Sequence, residues 1–184
     1  LPCPADRTRL ITDTAYGTED CSLAAASGVV KGTVPFRTMN LPVSATIDGY
    51  GSRINYIVTQ NFMTAANFIP ANTAQIEVRS GTLQQPCSST CSVQASTATD
   101  TGAAYFLFSS GEDKRGAIAA YGNAAVACYS ATSDPRIDSQ NCANGALTVG
   151  IATNVYYDSR FNNGTQTSNY FDDIVIWRTR GRMM

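Results

Sequence analysis

The chain has 184 residues, enough for one domain that buries roughly 70% of its unfolded surface. It carries 13 basic and 14 acidic residues and no histidine, a balance that gives no reason to expect nucleic acid or an anionic membrane as the main partner. Charged residues make up 15%, against about 25% in typical soluble domains, and Ser, Thr, Asn, Ala and Gly take their place, as in secreted β-rich proteins.

In chain order, the opening "LPCPAD" at 1–6 holds a cysteine between two prolines, which reads as the exit from a preceding element rather than a helix start. An alanine-rich turn is predicted at 22–26, after Cys21. Gly32 and Pro35 then set a turn before an extended stretch, and Asp48-Gly49 with Gly51 marks another before a strand at 53–59. Phe62, Met63 and Ala66 can share one face of a short helix at 60–68. Strands are predicted at 74–79 and 173–178, and more deeply buried ones at 103–109 and 147–157. Between them, 81–102 reads as a solvated loop rich in Ser, Thr and Gly, and 117–128 is open between helix and strand. The fold class is mainly β, an α+β arrangement with an antiparallel sheet and disulfide-closed loops in a single domain spanning 1–184.

The six cysteines point to disulfides, because mixed zinc sites need imidazole and only Cys87 and Cys91 lie close together. The sequential pairing Cys3–Cys21, Cys87–Cys91 and Cys128–Cys142 closes three short polar loops and is the favoured one. Such bonds imply an oxidising compartment. No apolar run reaches the ~18 residues of a membrane-spanning helix, and no signal peptide is present.

Without histidine, Ser-His-Asp and Cys-His nucleophiles are excluded. Ser109 and Ser110 with Lys114 downstream allow a Ser-Lys pair on paper, but a strand running into a Ser/Gly turn explains them more simply. Asp172 and Asp173 are adjacent at a strand start and point to opposite faces, so they are not by themselves a glycosidase pair; one is expected to cap the strand and the other to meet an arginine. No catalytic residue and no cofactor is assigned. A calcium site drawn from Asp6, Asp13, Asp20, Asp158, Asp172 and Asp173 is an open alternative, though no EF-hand spacing organises them. Asn163-Gly164-Thr165 matches a glycosylation sequon. Tyr129, Tyr156, Tyr157 and Tyr170 are candidates for a contact surface, set against the plainer reading of half-buried strand packing; Trp177 reads as core or subunit contact.

"LPCPAD" at 1–6, "GTVPFRTMNLP" at 32–42 leading to "DGYGSRINYIV" at 48–58, and "YFDDIVIW" at 170–177 together resemble the ectodomain of bacterial type IV pilin-like proteins of the minor pilin or pseudopilin group. "FSSGEDKRG" at 108–116 departs from that pattern. The resemblance implies a structural subunit, periplasmic before assembly and extracellular or cell-surface afterwards. Other pilin or pseudopilin subunits would be its partners in a homo- or hetero-oligomeric filament. It also implies an apolar N-terminal helix, absent from these 184 residues, as the only link to a membrane. An apolar sheet face meant for that helix would then lie exposed. The rival reading is an adhesin or lectin-like domain that recognises a glycan or host surface through the 81–102 loop, the Cys128–Cys142 loop and the tyrosines.

Overall fold

The computed structural model describes residues 1–69, 72–80, 92–95, 102–122, 126–128, 141–142, 154–158, 171–180 and 183. Cys87, Cys91, Tyr129, Tyr170, the sequon at 163–165 and most of the 81–102 loop lie outside the described residues, as does 147–153.

Seven strands are described: β1 (Val29–Thr33), β2 (Asn55–Thr59), β3 (Glu77–Ser80), β4 (Ser92–Ala95), β5 (Ala103–Ser109), β6 (Val155–Tyr157) and β7 (Ile174–Thr179). Four of them form an antiparallel sheet in the order β1-β2-β5-β7. The remaining three form a smaller sheet in the order β4-β3-β6, antiparallel between β3 and β4 and parallel between β3 and β6. The mainly β reading holds at this level.

Period-two alternation decides which side chains go where. Val29, Ile57, Phe106, Phe108, Val175 and Trp177 project from one face of the larger sheet and meet Val78 and Tyr156 of the smaller one. This interior is aromatic: Phe106 lies 4.9 Å from Tyr156 and 6.0 Å from Phe108, centroid to centroid. Val30, Tyr56 and Val58 point to the opposite face, with Tyr105 and Leu107 packed against them. All five residues of β2 are buried, so this strand is covered on both sides.

Several local expectations change. The alanine-rich stretch at 22–26 is not helical; it leads into a tight turn in which Ala26 and Val29 exchange backbone bonds, with Ser27 and Gly28 at positive φ. The chain at 60–68 makes two separate 3-10 turns, Gln60–Met63 and Ala65–Asn67, because Thr64 between them is extended at φ −106°. Phe62 is nonetheless fully buried and stacks edge-on against Phe68 at 5.0 Å. In the ambiguous stretch 117–128 the described residues are not helical: 118–119 are extended in bridges and 120–122 turn; Arg53 donates its N–H to the Ile118 carbonyl, Ala120 donates to Gly51, and Val126 donates to Ala117. Strands β1 and β4 were not anticipated, and β4 sits inside the stretch read as a loop.

A core truncation and a rim substitution should therefore behave very differently. Phe106→Ala is expected to lower unfolding free energy by about 3–5 kcal/mol in denaturant titrations, while Ile176→Ala on the exposed side of β7 stays within about 0.5 kcal/mol of wild type.

Candidate interaction surface

The opening segment is fastened to the second face of the larger sheet. The Leu1 amino group donates to the Phe62 carbonyl at 2.7 Å, and burial lowers its pKa from the ordinary value. Tyr56 donates its phenol to the Pro2 carbonyl at 3.1 Å, and Cys3 is bonded to Cys21. Further along, Ala5 and Thr33 exchange both backbone hydrogen bonds, laying the segment beside β1. Gly32 makes this possible, since a Cβ there would sit 2.4 Å from the Ala5 carbonyl oxygen. Leu1, Leu23, Val34 and Met63 then pack over Val30, Tyr56 and Val58. Half of the face is thereby closed.

The other half is open. Ile174 is 55% exposed and Ile176 51%, on the same side of β7, while Val175 and Trp177 turn inward. Through the β5–β7 register, Ile176 lies opposite Leu107 and Arg178 opposite Tyr105, so the isoleucines continue the partly buried Tyr105–Leu107 row. Trp177 is steadied from the far side by donating its Nε1–H to Asp158 at 2.9 Å.

The tyrosines do not form this surface. Tyr156 is 0% exposed and Tyr157 4%, a correction to their candidacy as contact residues: strand β6 is short and covered, and both rings fall inside the fold. Burial pushes the Tyr156 phenol far above its usual range, so it stays protonated. Beside them lies a residue the sequence did not single out. Asn141, fully buried, donates Nδ2–H to the Tyr157 carbonyl and to Asp173 Oδ2, both at 2.9 Å, and accepts the Tyr157 N–H at 2.7 Å. Its amide thus stands in for a strand neighbour of β6 while holding the start of β7. The adjacent Cys142 is bonded to Cys128. Gly116, at φ +73°, lets that bond approach: a Cβ would lie 2.7 Å from the Cys142 sulfur.

The end of the sheet where β5 leaves and β7 begins carries Ser109, Ser110, Asp172 and Asp173. Ser109 donates to Asp48 Oδ2 at 2.7 Å and accepts from the Gly111 N–H at 3.3 Å; Asn55 donates to Ser110 at 3.4 Å. Both serines are buried in structural bonds, and no hydrogen bond joins either to Lys114 among the described residues. Asp172 accepts the Asp113 N–H at 2.9 Å through Oδ2. Asp172 and Asp173 are buried and committed to different elements, which matches the opposite-face expectation.

Among the described residues, Asp6, Asp13, Asp20, Asp158, Asp172 and Asp173 are not gathered into one cluster. Asp6 and Asp13 are engaged by Arg9, and Asp20 accepts from Ser22 in a local turn. Among the described residues the one grouping close enough to suggest a metal is Cys3, Glu19 and Cys21, whose sulfurs are already joined to each other, while Glu19 accepts from the Cys3 N–H at 3.0 Å. The cations have a scaffolding role instead. Arg53 lies 4.5 Å over the Tyr16 ring and donates to the carbonyls of Arg7, Arg9 and Gly122, and Tyr16 in turn donates to the Ala120 carbonyl at 2.5 Å. Arg53 therefore joins two loops, at 7–9 and at 122, just ahead of β2.

No helix among the described residues is long and apolar enough to cross a membrane. The two described disulfides belong to an oxidising compartment, extracellular or periplasmic. Comparison with known proteins found no matching protein family, no matching curated protein and no matching solved structure.

Two outcomes follow from these contacts. Asn141→Leu should cost about 2–4 kcal/mol in unfolding free energy, because it strands the Tyr157 backbone and the Asp173 carboxylate inside the fold; denaturant melts of the variant measure it. Burial, reinforced by repulsion from Arg7, brings Lys31 down to about 8 from 10.5. Between those values the unfolded chain binds more protons than the folded one, so this contribution makes stability rise with pH from about 8 toward 10. Lys31→Met should flatten that rise in denaturation midpoints measured across the interval.

Proposed function

We propose that this chain is the globular part of a type IV pilin-like filament subunit of the minor pilin or pseudopilin kind, acting by assembly and surface contact rather than catalysis. The observation that carries the reading is the half-open second face of the larger sheet. Its β1–β2 half is closed by the chain's own opening segment, and its β5–β7 half presents Tyr105, Leu107, Ile174 and Ile176. Apolar side chains held in a regular row on a rigid sheet suit a helix with an apolar stripe, which is the element the resemblance places there.

The position of Leu1 supports the same reading. It packs on both the Val30–Tyr56–Val58 cluster and the Phe62–Ala74–Ala104 cluster. A helix running into "LPCPAD" would therefore arrive on the sheet face itself, with Pro2 and Pro4 ending it and the Cys3–Cys21 bond fixing where the chain turns away. The buried serines and aspartates, engaged in structural bonds, are at home in such a role. So is the surface of small neutral polar groups.

Two experiments test this. The residues encoded ahead of Leu1 should contain a pilin-type processing site followed by a long apolar helix; an ordinary signal peptide with small-residue cleavage contradicts the proposal. The polypeptide carrying its encoded N-terminal segment should form regular polymers by electron microscopy, and Ile174→Lys combined with Ile176→Lys should abolish them without unfolding the domain. A strictly monomeric protein that instead binds defined glycans on an array would support the adhesin reading.

A further inference from the structure

Arg53 sits just ahead of β2 and is 4% exposed. Its terminal nitrogens donate to the carbonyls of Arg7, Arg9 and Gly122 and its guanidinium lies over the Tyr16 ring, but its Nε–H meets no acceptor. No carboxylate lies within ion-pair distance of it among the described residues. A buried cation with neither an ion-pair partner nor a full set of acceptors is costly unless something else meets it.

Arg53 also lines a small cavity of about 10 Å³, room for one water-sized particle. Tyr16 and Gly17 of the opening loop, Thr33, Val34 and Phe36 at the end of β1, and Thr46 of the 3-10 turn at 43–46 close it. What these groups offer is mostly donors. Thr33 is buried, and its hydroxyl hydrogen is free to rotate. Two lining carbonyls are already engaged: that of Gly17 takes the Arg37 N–H at 2.8 Å, and that of Val34 takes the Phe36 N–H at 2.9 Å. Thr46 spends its hydroxyl hydrogen on the Val43 carbonyl at 2.8 Å, which leaves Arg53 and Thr33 as the side-chain donors. The surroundings are positive as well. Arg7 is 4% exposed and near enough to Arg53 for that charge to disfavour its own, and Lys31 feels Arg7 in the same way. Asp6, an acid that favours the Arg53 charge, is itself engaged by Arg9 at 3.2 Å and by the Thr8 N–H at 2.8 Å.

We propose that this cavity binds one small monovalent anion of chloride size, held by the Arg53 Nε–H and the Thr33 hydroxyl. A water there would leave the Arg53 charge uncompensated and would find its own hydrogens short of acceptors, whereas a halide ion needs donors alone. Sulfate and phosphate are too large for the space. The bound ion ties together four segments: the loop at 16–17, the end of β1, the 3-10 turn at 43–46 and the entry to β2. By alternation Thr33 shares the inner face of β1 with Val29, across the sheet from the Ile174–Ile176 row, so the site stands independently of the filament reading.

Chloride-35 NMR at constant ionic strength tests it. The chain should broaden the chloride resonance in a saturable way that bromide reverses and sulfate does not. Thr33→Val should weaken binding about two- to tenfold, the loss of one hydrogen bond. Arg53→Met should abolish it. Where that variant fails to fold, judged by circular dichroism, crystals of the wild-type chain grown in sodium bromide decide, with an anomalous peak expected in contact with Arg53 Nε. The proposal is overturned by the lack of saturable broadening, by broadening that Thr33→Val leaves unchanged, or by an ordered water in place of bromide at Nε.

Discussion

A strand that is apolar on both faces has to be covered on both faces, and β2 is that strand. Every one of its residues is buried, with Ile57 on one side and Tyr56 and Val58 on the other. The first side is closed by the smaller sheet through Val78 and Tyr156. No second sheet is available for the other side among the described residues, so the chain folds its own beginning over it. The two layers, the path of the opening segment and the location of the open face all follow from this requirement. Burial of this kind is the main favourable term in folding, which is why the loops bend to satisfy it.

What keeps those loops in place is a small number of polar anchors in otherwise neutral surroundings. Arg53 collects three backbone carbonyls from two loops and lies over Tyr16. Asn141 completes β6 and the start of β7. The Cys3–Cys21 and Cys128–Cys142 bonds sit at the same two places, one under the opening segment and one beside Asn141. A chain with few charges has little else with which to define loop geometry, and the Asn141 anchor works because all of its hydrogen bonds are buried. The row formed by Tyr105, Leu107, Ile174 and Ile176 is held by strands whose reverse sides are packed.

Where alternation of β-branched and aromatic residues was strong, the sequence was readable. The strand at 103–109 was predicted with the bounds it has, and those at 53–59 and 173–178 within two residues. Two of the three proposed disulfides lie among the described residues, and both are present. Strand β1 was hidden because Lys31 and Gly32 break its apolar run; Gly32 is there for the close pass of Ala5, a tertiary reason that local pattern does not carry. The helix at 60–68 was misread because one face of Phe62, Met63 and Ala66 suits a 3-10 turn equally well, and Thr64 interrupts it. For Tyr156 and Tyr157 half-buried strand packing was the plainer reading and surface contact the rival; that both rings are fully covered depends on the parallel pairing of β6 with β3, a long-range contact. Asn141 left no signal beyond its place next to Cys142.

The functional account turns on one asymmetry: a sheet face closed by the chain's own start on one half and left apolar on the other. Methyl NMR with a soluble paramagnetic agent measures it directly, comparing Val30 and Val58 with Ile174 and Ile176 in the dilute chain and in the filament that the proposed function requires. The account predicts that the valines are protected throughout, while the isoleucines are strongly broadened in the dilute chain and become protected on assembly. Isoleucines that stay equally accessible in the assembled state would contradict it.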